Sequence, residues 1–370
     1  MLFWVFRNNY FGIGRRRNQV YILVLLLLIV FMTVFSIIDN IYEMKQRKSL
    51  WNALETDEII RVRSIIRSHP HHINSRNEDG LSPVQKAIVN GNTECAWYLA
   101  CQGADLRIRT EDGKSLLHLA AEYGDEGMVR LFAGIAADPD LIDSNGSAPL
   151  HASVCSGKTG NVQAIIERGA FIDQKDSEGN TPLLLAIHLG HEEIASLLVE
   201  FGAETEIRDS EGNTPLINSL RKGAVNVTQS LISRKASLDV IGSDGLAALH
   251  IASEKGYIEI MESLIESGAD VNVQSARRSG NLTLSETNAM NQHLISTHGL
   301  TPLHIAVICR LDQAVSTLIR RGASGSIRDS SGRIPYDMAL KSASQKMIEM
   351  LSIEKKEGLQ AISAHVWNNS

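Results

Sequence analysis

The hydrophobic pattern of this chain changes character near residue 39. From Val20 to Ile38, 19 residues pass without a charge, and only Thr33 and Ser36 interrupt the apolar run. Coiled as a helix, that stretch spans about 28 Å, close to the hydrocarbon thickness of a bilayer. It is apolar on every face, so the pattern predicts a membrane span rather than a helix laid on a core. Beyond it the apolar residues gather into short clusters at helical spacing, such as Ile194, Leu197 and Leu198, each cluster closed by a glycine.

The glycines keep time. Gly80, Gly113, Gly146, Gly179, Gly212 and Gly245 are each 33 residues apart; the next interval, to Gly299, is 54, and the one to Gly332 is again 33. One junction therefore carries an insertion of 21 residues, placed at about Gln274 to Thr297. The words around the glycines repeat as well: Gly179-Asn180-Thr181-Pro182-Leu183, Gly212-Asn213-Thr214-Pro215-Leu216, and Gly299-Leu300-Thr301-Pro302-Leu303-His304-Ile305-Ala306. In the unit around Gly179, Thr181 supplies a capping hydroxyl, and Pro182 sits where a helix has no amide bond to lose. A first helix through His188 follows, then Gly190 in a left-handed turn, then a second helix from Glu192 to Phe201, ended by Gly202. Ala87, Ala120, Ala186, Ala252, Ala306 and Ala339 recur at one position, small enough for neighbouring helices to approach. No unit of this kind buries its apolar face alone, so stacking makes the core.

These words resemble the ankyrin repeat family, whose 33-residue unit carries a Thr-Pro-Leu-His-x-Ala signature. The resemblance covers about Arg47 to Leu351, and it implies an all-α ankyrin-repeat solenoid of about nine helix-turn-helix repeats with β-turn or hairpin tips, preceded by one transmembrane helix. His118, His151, His250 and His304 fall on the family's histidine position, where the imidazole is structural. Leu116 and Ala248 replace the proline, Lys235 the second-helix glycine, and Arg310 and Ala343 the inter-helix glycine, so those units are expected to be less regular. Leu50, Trp51, Leu54, Ile59, Ile60, Val62, Ile65 and Ile66 read as a capping pair of helices, with Arg47 in the place of the turn glycine. Ile334-Pro335-Tyr336-Asp337 and Met347 to Leu351 read as a divergent last unit. The expected organisation is a basic and aromatic tail (1–19), the span (20–38), a short linker (39–46), the array (47–353) and a tail (354–370).

Charge sharpens the picture. Residues 1–38 hold four arginines and no acid, so the rest carries −10 against −6 for the whole chain. That excludes a globally basic nucleic-acid binder, and no nucleic acid is expected as a partner. Arg7, Arg15, Arg16 and Arg17 precede the span while Lys45, Arg47 and Lys48 follow it, favouring by one charge a cytoplasmic amino terminus. The repeats then lie on the far side, periplasmic in a bacterium. An uncleaved anchor is preferred to a signal peptide because the run exceeds the usual apolar length, although cleavage at about Ser36 stays open. Cys95, Cys101, Cys155 and Cys309 are too scattered for a disulfide framework or a thiolate zinc site, and Cys95 and Cys101 are expected as small core residues. The triplets beginning at Asn145, Asn226, Asn281 and Asn368 matter only on a eukaryotic secretory route.

Candidate chemistry is sparse. Ala152 to Thr159 fits a relaxed phosphate-loop pattern, but it falls on a repeat helix with Gly157 as the inter-helix glycine, and the loop needs a preceding strand. His69, His71 and His72 are clustered, yet Pro70 takes a glycine slot of the capping repeat, so a loop is expected there and no metal. No catalytic residues, cofactor or small-molecule ligand are expected, and the chain is not read as an enzyme. The resemblance implies protein binding through the turn tips, Glu111, Asp112, Ser144, Asn145, Ser177, Glu178, Ser210, Glu211, Ser243 and Asp244. It extends to the ends of the first helices, Tyr123, His188, Arg221, Lys222, Glu254 and Lys255. The function expected is a scaffold tethered to the lipid bilayer through residues 20–38 and binding a protein partner. An accessory subunit of a membrane enzyme or transporter, and a secreted effector released by cleavage, are the alternatives.

Overall fold

A computed structural model describes residues 15–135, 138–276, 298–342 and 345–352. Most of the expected insertion, at 277–297, and both terminal tails apart from Arg15 to Asn18 and Gln19 lie outside the described residues, as do Asn281, Asn368 and Ala343. The fold is all-helical, with no strand among the described residues, and the tips of the repeats are turns. The chain divides into two compact units, Met1–Asp105 and Leu106–Ser370. This boundary falls at a repeat junction inside the stretch expected from the sequence as one array.

The first unit opens with α1 (Arg15–Glu55), a single helix of 41 residues. Its part from Ile22 has a most apolar window with a mean hydropathy of 2.9 and nothing in that window buried, so one helix is long and apolar enough to cross a membrane. The same helix then becomes the first helix of the first repeat, where Leu50, Ala53 and Leu54 are fully enclosed. Residues 39–46, expected as a linker, are helical throughout, and Arg47 is inside the helix rather than in a turn. The reason is local: from Asp39 to Glu55 there is no glycine or proline to end the helix. The turn comes at Thr56 to Glu58, with Asp57 in a left-handed conformation.

Next come α2 (Ile59–Ser68), a 3-10 segment (Pro70–Asn74), α3 (Pro83–Val89) and α4 (Thr93–Cys101). α2 packs on α1 through Val62, Ile65 and Ile66, while Ile60, read from the sequence as part of the apolar face, is 82% exposed on the outer side. α3 begins with a capping box, in which the Ser82 amide donates to Gln85 and the Gln85 amide to the Ser82 hydroxyl. Asn92 caps α4 by accepting from the Cys95 amide at 2.9 Å.

In the second unit helix pairs follow one another. The first helices Leu116–Tyr123, Pro149–Ser156, Pro182–Leu189, Pro215–Lys222 and Ala248–Lys255 pack in succession, and each second helix packs behind its own first helix. Ala248–Lys255 also packs directly on Pro302–Ile308, so the insertion leaves the stack continuous. The recurring alanines Ala120, Ala186, Ala252, Ala306 and Ala339 are completely buried, as close helix contact requires. Each large aliphatic side chain enclosed this way contributes about 1.5–3 kcal/mol. The expected regularity of the Gly179 unit holds, with Gly190 at φ 77°, although Leu197 is only half-buried beside buried Ile194 and Leu198. Lys235 and Arg310, which replace glycines, keep the left-handed backbone at φ 62° and 59°. Packing on both sides imposes the turn there despite the steric cost of a side chain.

Candidate functional site

The turn tips are built by an aspartate three residues before the glycine. Asp143 Oδ1 accepts from the amides of Asn145 at 2.8 Å and Ser147 at 3.0 Å, and Asp176 Oδ1 from Glu178 at 3.0 Å and Asn180 at 2.8 Å. Asp209 and Asp329 repeat the arrangement with Glu211 and Asn213, and with Ser331 and Arg333. Such side-chain-to-backbone bonds fold a turn without help from a sheet. Glycine follows because the backbone there is left-handed and the next repeat is close: a Cβ on Gly146, at φ 69°, would stand 3.0 Å from the Ser177 amide nitrogen. Neighbouring tips are bonded to each other, since the Ser144 amide donates to the Asp112 carbonyl at 2.9 Å and the Ser177 amide to the Asn145 carbonyl at 3.0 Å.

Asp209 does more than fold its turn. Its Oδ2 also accepts from Asn218 Nδ2 at 2.7 Å and lies 3.8 Å from His188 Nε2, while the carboxylate itself is 4% exposed. Asp209→Ala is therefore expected to cost about 2 kcal/mol in urea unfolding, because two tip amides and the Asn218 amide lose their acceptor. Glu211→Ala, at the exposed tip, should stay within about 0.5 kcal/mol of the parent. Equal losses from the two variants would contradict this account of the turn.

The four signature histidines fasten each tip to the start of a helix. Nε2 of His118, His151, His250 and His304 lies 2.9, 3.2, 2.8 and 3.2 Å from the carbonyl oxygens of Ser147, Asn180, Leu300 and Arg333, each in the following repeat. Nδ1 accepts from the amides of Ser115, Ala148, Ala247 and Thr301 at 3.1–3.2 Å. This pairing assigns the tautomer, with Nε2–H donating and Nδ1 accepting. Burial lowers the pKa of all four below the ordinary imidazole value, and that of His250 to about 4. They serve structure, as their position in the sequence implied.

The candidate binding residues line up on the surface. Glu111, Asp112, Ser144, Asn145, Ser177, Glu178, Ser210, Glu211 and Ser243 are exposed at the tips, and Tyr123, His188, Arg221, Lys222 and Lys255 at the ends of first helices. Asp244 and Glu254 are half-buried instead. Asp244 is drawn in by an ion pair with Arg221, which ties one first helix to the next tip. Leu189, 48% exposed beside His188, escaped the sequence reading because an apolar residue at the end of a helix reads as core. The phosphate-loop-like stretch is divided between two helices, and the Lys158 ammonium donates to the carbonyls of Tyr123 at 3.2 Å and Gly124 at 2.7 Å. Cys95 is buried and its pKa is pushed up to about 11 by burial, whereas Cys101, expected in the core, is exposed on the last turn of its helix.

Turn, helix, left-handed glycine and second helix, repeated at a fixed period with a histidine clasp in four of the units, define a helical repeat protein. The family pattern described as "Ankyrin repeats (3 copies)" matches residues 50–143, 117–209 and 197–275, and that described as "Ankyrin repeat" matches 298–330. The chain belongs to the ankyrin repeat family. Among solved structures it is similar to the ankyrin repeat domain of Bcl-3, a member of the IkappaB protein family, with a TM-score of 0.52 and 25% identity. That likeness covers 65% of this chain and 100% of the other. It is also 45% identical over 60 residues to the mouse palmitoyltransferase ZDHHC13. This match spans 16% of the chain and 10% of the enzyme. Ankyrin repeats of this kind are protein-interaction modules.

Proposed function

We propose that this protein is a membrane-tethered ankyrin scaffold that holds a protein partner close to the bilayer and performs no catalysis of its own. The observation that carries the reading is the continuity of α1: an unburied apolar stretch suited to a bilayer runs without interruption into the buried residues Leu50, Ala53 and Leu54 of the first repeat. The first repeat, joined in this way, acts within a short distance of the membrane. The positive flank supports a cytoplasmic amino terminus with the repeats on the opposite side. Domain limits follow the same reading, with the span at 20–38 and the array ending near residue 353.

The partner is proposed to contact the row formed by Tyr123, His188, Leu189, Arg221, Lys222 and Lys255 together with the tips that precede it. This row offers aromatic, aliphatic and cationic groups side by side, the mixture from which binding hot spots are built. The test is a site-specific photo-crosslinker placed at Tyr123, His188 or Lys222 of the full chain in its native membrane, with Glu200 on the opposite helices as the control. A discrete adduct from the first three positions and none from Glu200, weakened about tenfold or more by Tyr123→Ala with Arg221→Ala, is the expected outcome. Equal labelling from every position would remove the proposed surface. A reporter fused after Ser370 fixes the side on which the repeats lie.

A further inference from the structure

We propose that Glu43, His71 and His72, with His69 as fourth ligand, form a binding site for a divalent transition ion of the zinc class, bridging the apolar helix to the first repeat. Their sequence separation hides the site, since Glu43 lies on α1 and the histidines flank and occupy the 3-10 segment Pro70–Asn74. In the fold, one donor atom from each of Glu43, His71 and His72 lies within 4.8 Å of the others. Glu43 Oε2 is 2.8 Å from His71 Nε2 and 3.0 Å from His72 Nε2, and Glu43 Oε1 is 4.0 Å from His69 Nε2. Tetrahedral zinc, with bonds of about 2.0–2.2 Å, sets its ligand atoms about 3.4 Å apart. Glu43, His71 and His72 place their donor atoms close to that spacing, and His69 Nε2 approaches the same carboxylate from 4.0 Å.

Two further observations favour an ion over a simple hydrogen-bonded cluster. The His72 side chain is 8% exposed, and its Nε2 is buried without a hydrogen-bond partner, near the carboxylate but out of line with it. A buried ring nitrogen aimed into a cluster without a hydrogen-bond partner is a position that a bound cation would satisfy. The second observation concerns His69. Ser68 Oγ lies 3.0 and 3.1 Å from the carbonyl oxygens of Ser64 and Ile65, to which its single proton is given. With that proton on a carbonyl, Oγ accepts from His69 Nδ1 at 2.8 Å, the tautomer in which Nε2 of His69 faces Glu43 with its lone pair. A second hydrogen bond that fixes tautomer and ring orientation is the usual companion of a metal-ligating histidine. Three imidazoles with one carboxylate, and no thiolate, select zinc, cobalt, nickel or copper over calcium and magnesium, which take oxygen donors. The sequence spacing does not reveal the cluster, because Glu43 belongs to what reads there as a linker. An ion at this point would staple α1 to the turn that follows α2 and fix how the membrane-proximal helix meets the first repeat.

The full chain, purified in detergent and stripped with a chelator, is titrated with Co2+ and then with Zn2+. The expected result is one Co2+ per chain at micromolar or tighter affinity, with the visible absorption of a tetrahedral nitrogen–oxygen site that Zn2+ displaces. His71→Ala and Glu43→Gln each should weaken binding more than about 100-fold, and Ser68→Ala about tenfold. His71 and Glu43 are 61% and 39% exposed, so their replacement spares the core. Melting in chelator should then be unchanged in both variants, and Zn2+ should raise the melting temperature of the parent alone. Failure of the parent to bind Co2+, or binding by both variants as tight as the parent's, overturns the proposal.

Discussion

Replacing Leu27 and Ile29 together with arginine is expected to move the full chain from the membrane pellet to the supernatant in alkaline carbonate extraction. Between Val20 and Ile38 there are 15 leucine, isoleucine, valine and phenylalanine residues. At about −0.3 to −0.6 kcal/mol each near the helix centre, they favour insertion by about 5 to 9 kcal/mol. Each arginine costs about 2.5 to 3.5 kcal/mol and also removes one apolar contribution, so the pair costs about 6 to 8 kcal/mol, comparable with the entire driving force. Both side chains are more than two-fifths exposed in the fold, Leu27 at 60% and Ile29 at 46%, so neither substitution disturbs a packed core. A double variant that stays in the pellet after carbonate would remove the membrane span from the account of this protein. Leu50→Arg provides the contrast, because it strikes the buried end of the same helix and should unfold the first repeat while leaving the chain in the membrane.

Acid is expected to weaken the second unit in a window set by the histidine clasps. Burial lowers the folded pKa of His118, His151, His250 and His304, that of His250 to about 4, whereas the unfolded chain titrates near 6.5. The unfolded state therefore binds more protons between those values, and stability rises with pH there. The contribution is complete above pH 6.5 and is lost as pH falls through 6.5 toward 4. For His250 alone the loss is on the order of 3 kcal/mol by pH 4. Carboxylates act lower down. The Arg130 hydrogen bond lowers the Glu167 pKa, and for Asp329 burial acts upward but the bonds from Arg333 and Ser331 outweigh it. Urea midpoints measured from pH 7.5 to 4.5 separate the two groups. A profile flat across that range would contradict neutral buried imidazoles, and a steep one should be flattened by His250→Gln, whose amide can donate to Leu300 without titrating.

The repeats were legible because their signals are local. Each rests on a glycine that must be left-handed, a proline harmless at a helix start, and an alanine where helices touch, all at a period visible in the chain. Even Lys235 and Arg310, which break the glycine rule, obey the backbone it predicts, since the neighbours enforce it. The tip aspartates Asp143, Asp176 and Asp209 keep the same period of 33, although their bonding to the turn amides shows only in the fold. Other features were hidden for physical reasons. The exposure of Ile60 and Cys101 depends on which side of a short helix finds a neighbour, and the approach of three histidines to Glu43 depends on chain 26 to 29 residues away. At residues 39–46 charge marks the end of the apolar run and so suggests a linker, although charged and polar residues also propagate a helix well.

That join gives the apolar helix an angular phase. A flexible tether would leave the first repeat free to face any direction, but an unbroken α-helix passes on its own rotation, about 100° and 1.5 Å for every residue. Adding one residue between Ile38 and Leu50 would swing the side of the helix that meets α2 by more than a quarter-turn relative to the span, and adding a whole number of turns would nearly restore it. In the proposed tether, evolutionary changes of length in this short segment would therefore act as a dial on which face of the first repeat looks toward the lipid, with the sequence of every repeat left untouched.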